Sequence, residues 1–352
     1  MELTRLQIVG LIIVIMLTLA VYAGLVFTVI QTNQRLERSR LPTPPPPEDA
    51  GSPTPTLTPS PTPSPTPTIT PTPAAPQTRY DLDVQADPED PQLRIDRGYA
   101  YIEREAYEYA LADFDTAIEL DPTLPNAYLG RGEGQFYLRE WTAARDSFEE
   151  AVALDPELAA AHAWLGHLLS LRTEHEQAIE HLEEAVALDE NEPAYHVWLA
   201  DALLRADQPA EAETRYSTAL GLESQSVEAY VGRALALAEQ TVYESALQDL
   251  EAALDIAPYD PTALNGKAWF NARYLATDFG EARELAQRAL TNAETELDQA
   301  KARRTLGWIA YQEGDVDAAQ EQLQEAIELA TIDGVLVYPE MEDDLEAVQD
   351  GL

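Results

Sequence analysis

Cysteine is absent from all 352 residues. That excludes disulfides, thiolate metal ligands and an N-terminal lipid carried on cysteine. Histidine is scarce, with copies only at His162, His167, His175, His181 and His196. In the run HEQAIEH the histidines His175 and His181 stand on opposite sides of a helix, unlike the four-apart pair of a zinc protease. Basic residues are few: 22 Lys and Arg face 63 Asp and Glu, a formal net charge of −41. Such a field repels phosphate backbones and argues against a nucleic-acid partner. It favours basic partners or divalent cations, or simply keeps a long acidic surface solvated. No phosphate-cradling loop or nucleophile elbow occurs. The acidic run DLDVQADPED from Asp81 lacks the glycine and closing glutamate of a calcium loop. Neither a cofactor nor an enzymatic activity is expected.

Long apolar runs are missing too, with one exception. Residues 6–30 carry no charged side chain and are mostly Leu, Ile and Val. Such a run can cross a hydrocarbon core of ~30 Å as a helix. A cleaved signal peptide is the rival reading, with Val21-Tyr22-Ala23 as a small-residue cleavage site. The run continues through Leu25-Val26-Phe27 past that point, which favours a retained single-pass anchor in residues 1–40 and contact with the lipid bilayer. Residues 41–90 follow as a Pro/Thr/Ser-rich linker, including SPTPTLTPSPTPSPTPTITPTP. It cannot bury a core and is expected to be disordered, with polyproline II character; the tract from Leu41 to Thr78, about 36 residues, could reach roughly 110 Å at ~3.1 Å per residue. It reads either as a stalk whose hydroxyls are open to glycosylation or as an inert spacer. Residues 1–80 hold five Arg against four acids, so the remainder carries −42. Arg35, Arg38 and Arg40 behind the anchor point to a cytoplasmic C-terminal side. The long stalk points outward instead, and we expect a cell-membrane protein with its soluble part outside the cytoplasm.

What the chain has in abundance is repetition. Gly98, Ala110, Phe114, Ala117 and Pro122 return 34 residues later as Gly132, Ala144, Phe148, Ala151 and Pro156. Gly166, Ala178, Leu182 and Ala185 follow, then Ala200, Ala212, Tyr216 and Ala219, then Ala234, Ala246, Leu250, Ala253 and Pro258. A fixed period of this length implies stacked helix–turn–helix units. The small residue near position 8 lets the two helices of a unit approach. Alanines on the second helix do the same toward the next unit, and the aromatic or Leu between them fills the seam. Proline after each second helix stops it.

This pattern resembles the tetratricopeptide repeat family over roughly residues 91–333, in about seven units starting near Pro91, Pro125, Ala159, Pro193, Val227, Pro261 and Ala300. The stretch AYLGRGEGQFYLREWTAARDSFEEAVALDPE from Ala127 is the clearest copy. Glu190 and Ser224 replace the favoured proline, and the sixth unit has a two-residue insertion around Ala276 to Gly280. The expected fold is all-α, an α-solenoid behind a transmembrane helix and linker. The resemblance also implies a non-enzymatic, membrane-tethered scaffold that binds protein or peptide partners in a concave groove. An assembly or chaperone-like role is the alternative, and an enzyme with an unrecognised site ranks last.

In this family the first helix of each unit lines the groove, mainly at positions 2, 5, 6, 9, 12 and 13. Carried over, these positions give Trp164 and Trp198 at position 6, Trp269 and Trp308 at position 9, and Tyr99, Phe136, Tyr137, His167 and Tyr311 on the same face. Aromatics there suit peptide binding, though they also suit packing between helices. Early units add Glu103, Glu133 and Asp201; later ones add Arg273, Lys301 and Arg304. The basic group is placed either to grip a carboxylate or to pair with acids such as Glu281 and Glu284. Some relatives clamp a C-terminal carboxylate with Lys and Asn at set positions, but Asn265 with Trp269 does not match that clamp. Residues 334–352 are expected to form a capping helix with Met341, Leu345 and Val348 on one face.

Overall fold

The computed structural model describes residues 77–276 and 279–350. The apolar run at 6–30 and most of the Pro/Thr tract lie outside them. Among the described residues no helix is long and apolar enough to cross a membrane. A short helix α1 (Asp81–Ala86) precedes seven helical hairpins. These are α2 (Pro91–Ile102) with α3 (Tyr107–Leu120), α4 (Pro125–Tyr137) with α5 (Trp141–Leu154), and α6 (Ala159–Leu171) with α7 (His175–Leu188). Then come α8 (Pro193–Arg205) with α9 (Pro209–Leu222), α10 (Val227–Glu239) with α11 (Tyr243–Ile256), α12 (Pro261–Phe270) with α13 (Phe279–Asn292), and α14 (Glu296–Glu313) with α15 (Val316–Ala330). Strands β1 (Thr331–Ile332) and β2 (Val335–Leu336) pair antiparallel, and α16 (Glu340–Asp350) follows. The fold is an all-α repeat solenoid with one small β-hairpin.

The unit boundaries follow from local chemistry. Pro91, Pro125, Pro193 and Pro261 each open a first helix, where the missing N–H costs nothing. Asp90, Ser226 and Asp260 accept hydrogen bonds from backbone N–H groups of the first turn behind them. Second helices end at Asp121, Asp155 and Asp189, whose carboxylates accept from the N–H two residues on and fold the chain into the next unit. This explains why Glu190 can replace proline: Asp189 still makes the turn with Asn191. Between the helices of a unit one residue is left-handed, at Glu105, Arg139, Thr173, Asp207 and Thr241, again 34 apart. None of these five is glycine.

The core is a stack of alanines and ring-sized fillers. Phe114 is fully buried, wedged between Gly98 of its own unit and Gly130 of the next. A Cβ on those glycines would lie 2.7 and 2.3 Å from its ring, so neither tolerates a side chain. A second recurring device was not anticipated from the sequence. Arg97 grips buried Asp113 through Nε and NH2, each at 2.7 Å, and Arg94 joins at 3.1 Å. Four units later, Arg233 grips Asp249 at 2.8 and 2.7 Å across the same sixteen-residue spacing. In between, Arg131 meets Ser147 at 3.0 Å, while the equivalent first-helix sites carry Leu165 and Leu199.

Three boundaries differ from the sequence reading. Residues 81–86, assigned to the disordered linker, are helical, and Val84 is buried. The seventh unit begins at Glu296, one turn before Ala300, because Thr295 caps it through the Asp298 N–H. Residues 334–352 are not one cap: the helix is confined to α16, and the hairpin precedes it. Met341 and Val348 of α16 are buried against α14 and α15, with Leu345 beside Val348. The two-residue insertion in the sixth unit is absorbed by a π-turn, Asn271–Leu275, followed by left-handed Ala276.

Candidate interaction surface

Side-by-side stacking of α4, α6 and α8 brings equivalent positions into register. Trp164 and Trp198 lie with ring centres 5.0 Å apart, and His167 stacks on Trp198 at 4.5 Å. Phe136 stacks on Trp141 at 5.6 Å and meets Trp164 edge-on at 5.3 Å. Tyr137 extends the array, edge-on to Trp164 at 6.0 Å and stacked on Tyr107 at 4.9 Å. It is 45% exposed, so this end is open to solvent. Tyr195 adds its ring beside Trp198 at 6.4 Å. Five of the sequence-selected residues thus form one continuous aromatic surface.

Its charges are tuned by burial. His167 is pushed down to about 3 by desolvation, helped by the Arg205 and Lys301 cations, so it is neutral at ordinary pH. Burial raises the Asp201 carboxyl, opposed by a hydrogen bond from the Tyr216 hydroxyl. Glu133 is raised to about 8 by burial, so it is protonated at neutral pH; once ionised it opposes ionisation of Tyr99, Tyr137 and Tyr195. Glu103, on the same predicted face, is exposed. Tyr99 packs edge-on against Phe114 at 5.2 Å and donates its hydroxyl to Asn126 O at 3.3 Å.

The later residues gather in a second group. Trp269 and Trp308 lie 6.2 Å apart, and Tyr311 is 5.8 Å from Trp308. Arg273 covers Trp308 at 4.3 Å and Arg304 covers Trp269 at 4.4 Å. Arg304 also donates to Glu340 at 2.9 Å and Asp344 at 2.7 Å. Its acids therefore come from α16 rather than from Glu281 or Glu284. Asn265 is engaged by the Thr305 hydroxyl at 2.8 Å, joining α12 to α14. Lys301 lies 5.7 Å above the Tyr338 ring.

That last contact belongs to a feature the sequence reading missed. The segment at 331–338 reaches back to the second and fourth units. Thr142 N–H donates to Asp333 at 2.9 Å, Arg139 donates to the Leu329 and Thr331 carbonyls, and Arg205 donates to Val337 O at 3.0 Å. Arg139 also pairs with Glu296. Two signals were available: Asp333-Gly334 between short β-branched runs is a hairpin dipeptide, and Arg205 stands at position 13.

His162 and His196 occupy the same repeat position and do the same thing. Their Nε2 atoms meet Pro156 O at 3.1 Å and Glu190 O at 3.0 Å. His162 further pairs with His181, Nδ1 to Nδ1, at 3.1 Å. Among the described residues no three His, Asp or Glu side chains gather as a ligand set for a metal.

Comparison with known proteins bears on this geometry. The sequence pattern described as "Tetratricopeptide repeat" matches residues 129–193, 197–261 and 267–331, and a second, "TPR repeat", matches 98–136. No curated protein matches in sequence. Among solved structures, a tetratricopeptide repeat protein from Parabacteroides merdae is similar, with 15% identity and a TM-score of 0.57 over 74% of this chain and 98% of that one. A chain of the APC/C hetero-tetramer Cut9–Hcn1 shows 17% identity and a TM-score of 0.54 over 78% and 56%. YrrB, described as a TPR protein with an unusual peptide-binding site, shows 25% identity and a TM-score of 0.44 over 54% and 98%.

Proposed function

Given that the chain belongs to the tetratricopeptide repeat family, we propose that it is a membrane-tethered, non-enzymatic scaffold offering the shared face of α4, α6 and α8 to a partner protein. Family members typically serve as protein-interaction scaffolds, which supports the class of function. The observation that carries the site is the aromatic array from Tyr137 to Trp198, open at its Tyr137 end. Rigid aromatic rings bury large area at small conformational cost. Glu133 is protonated at neutral pH and adds no charge there, so the fitting partner is an extended peptide or helix that inserts aromatic or aliphatic side chains. The tether rests on the uncharged run at 6–30, and the Pro/Thr tract then acts as the spacer.

Binding of an array of aromatic-containing peptides to the purified protein tests the site. Tyr137→Ala is expected to weaken captured peptides by about thirtyfold, the effect of losing an interface anchor of ~2 kcal/mol. Unchanged affinity with unchanged helical content contradicts the assignment. Protease accessibility in intact cells tests the tether: digestion from outside supports the displayed-stalk reading, and protection until the membrane is breached refutes it.

A further inference from the structure

The face just described already has an occupant. Asp333 and Gly334, with φ of 51° and 74°, make the two-residue turn that pairs Ile332 with Val335. A hairpin this small has little stability of its own in water, so its order comes from what it sits on. Ile332 and Val337 are 3% and 0% exposed and join the core cluster of the second to fifth units, with Trp164, Trp198 and Tyr338 packed against it. Arg139 donates to the Thr331 carbonyl and Arg205 to the Val337 carbonyl, main-chain contacts at the two ends of the segment that do not read its sequence. Three contacts do read it. The Asp333 carboxylate accepts from Thr142 N–H at the start of α5, a helix that Glu140 leaves without a side-chain cap. Val337 is seated in the core, and the Tyr338 ring lies near both Arg205, at 4.8 Å, and Lys301, at 5.7 Å.

We propose that residues 331–338 are a resident ligand of the scaffold's peptide-binding face, and that the partner is a protein segment presenting the same chemistry. That chemistry is a carboxylate, an aliphatic side chain four residues on, and an aromatic side chain next to it. The inference rests on the reading of this face as a peptide site. Such a segment competes with the tethered one, whose effective concentration is in the millimolar range. The apparent affinity of the full chain for any competitor is therefore reduced by the fraction of molecules whose hairpin is undocked.

A fluorescent synthetic peptide spanning residues 329–340 tests this by anisotropy against the wild-type chain, Val337→Asp and Asp333→Lys. Both variants are expected to bind it about tenfold or more tighter than wild type, and Arg205→Ala added to either is expected to reverse the gain. Equal affinity for wild type and both variants overturns the proposal, as does absence of binding to variants that keep their helical circular dichroism. Should Val337→Asp disturb the core, Asp333→Lys decides, because Asp333 is exposed. If the variants ignore this peptide while Tyr137-dependent capture of array peptides persists, the resident-ligand inference fails and the peptide face stands. If this peptide binds but no array peptide depends on Tyr137, the general reading fails instead.

Discussion

The pair Arg233–Asp249 should be worth little as a pair and much when half of it is removed. Its geometry is bidentate at 2.8 and 2.7 Å, with Asp249 only 7% exposed and the Arg233 side chain 24% exposed. At an effective dielectric near 20 the attraction is of order 4 kcal/mol, and most of it offsets desolvation of the two ions. Removing Arg233 strands a buried carboxylate, so Arg233→Leu is expected to cost about 3 kcal/mol. Asp249→Ala leaves a guanidinium that can turn toward water, at about 2 kcal/mol. The double variant Arg233→Leu/Asp249→Leu should cost about 1 kcal/mol or less, because apolar replacement of both ions is near neutral. Leu165 and Leu199 already fill the equivalent first-helix site in two other units, nearly fully buried. Urea unfolding followed by circular dichroism measures all three. A double variant as unstable as the sum of the singles would mean that the two ions contribute independently and are not a coupled pair.

Two further perturbations follow from the same structure. Thr173 and Thr241 are β-branched yet left-handed, at φ 64° and 62°, so glycine at either should stabilise by ~0.5–1 kcal/mol and raise Tm by a few degrees; a lower Tm contradicts this. Glu133, raised to about 8, stays protonated in the folded chain between pH 4.5 and 8 while the unfolded chain loses its proton. Stability should therefore fall as pH rises through that window, by up to ~1.4 kcal/mol per unit, and Glu133→Gln should remove the slope. An unchanged slope in the variant would place Glu133 in water.

The repeat architecture was legible because each unit solves the same packing problem with the same residues. Gly98, Ala110, Phe114 and Ala117 reappear wherever two helices must touch. Trp164, His167 and Trp198 could be placed on one face from position alone. Whether they met a ligand, solvent or each other could not, because that depends on curvature summed over several units. The hairpin shows the limit most clearly. Its Asp-Gly turn is a local signal, but its seat is made by Thr142 and Arg205, which lie 191 and 132 residues from their bonded partners. The insertion near Ala276 was likewise visible as two extra residues, whereas the π-turn that absorbs it depends on how Phe270 and Ala272 stay buried. Arg304 was seen as a groove cation, and only the fold reveals that α16 supplies its acids.

Partners are expected to meet this protein on the aromatic face of its first helices. A photo-crosslinking benzoylphenylalanine placed at Tyr137 tests it in cells, with the same residue at Tyr259, a 73% exposed position in the loop before α12, as the control. A discrete crosslinked partner is expected from position 137 and absent from position 259. Crosslinks from 259 with none from 137 would contradict it.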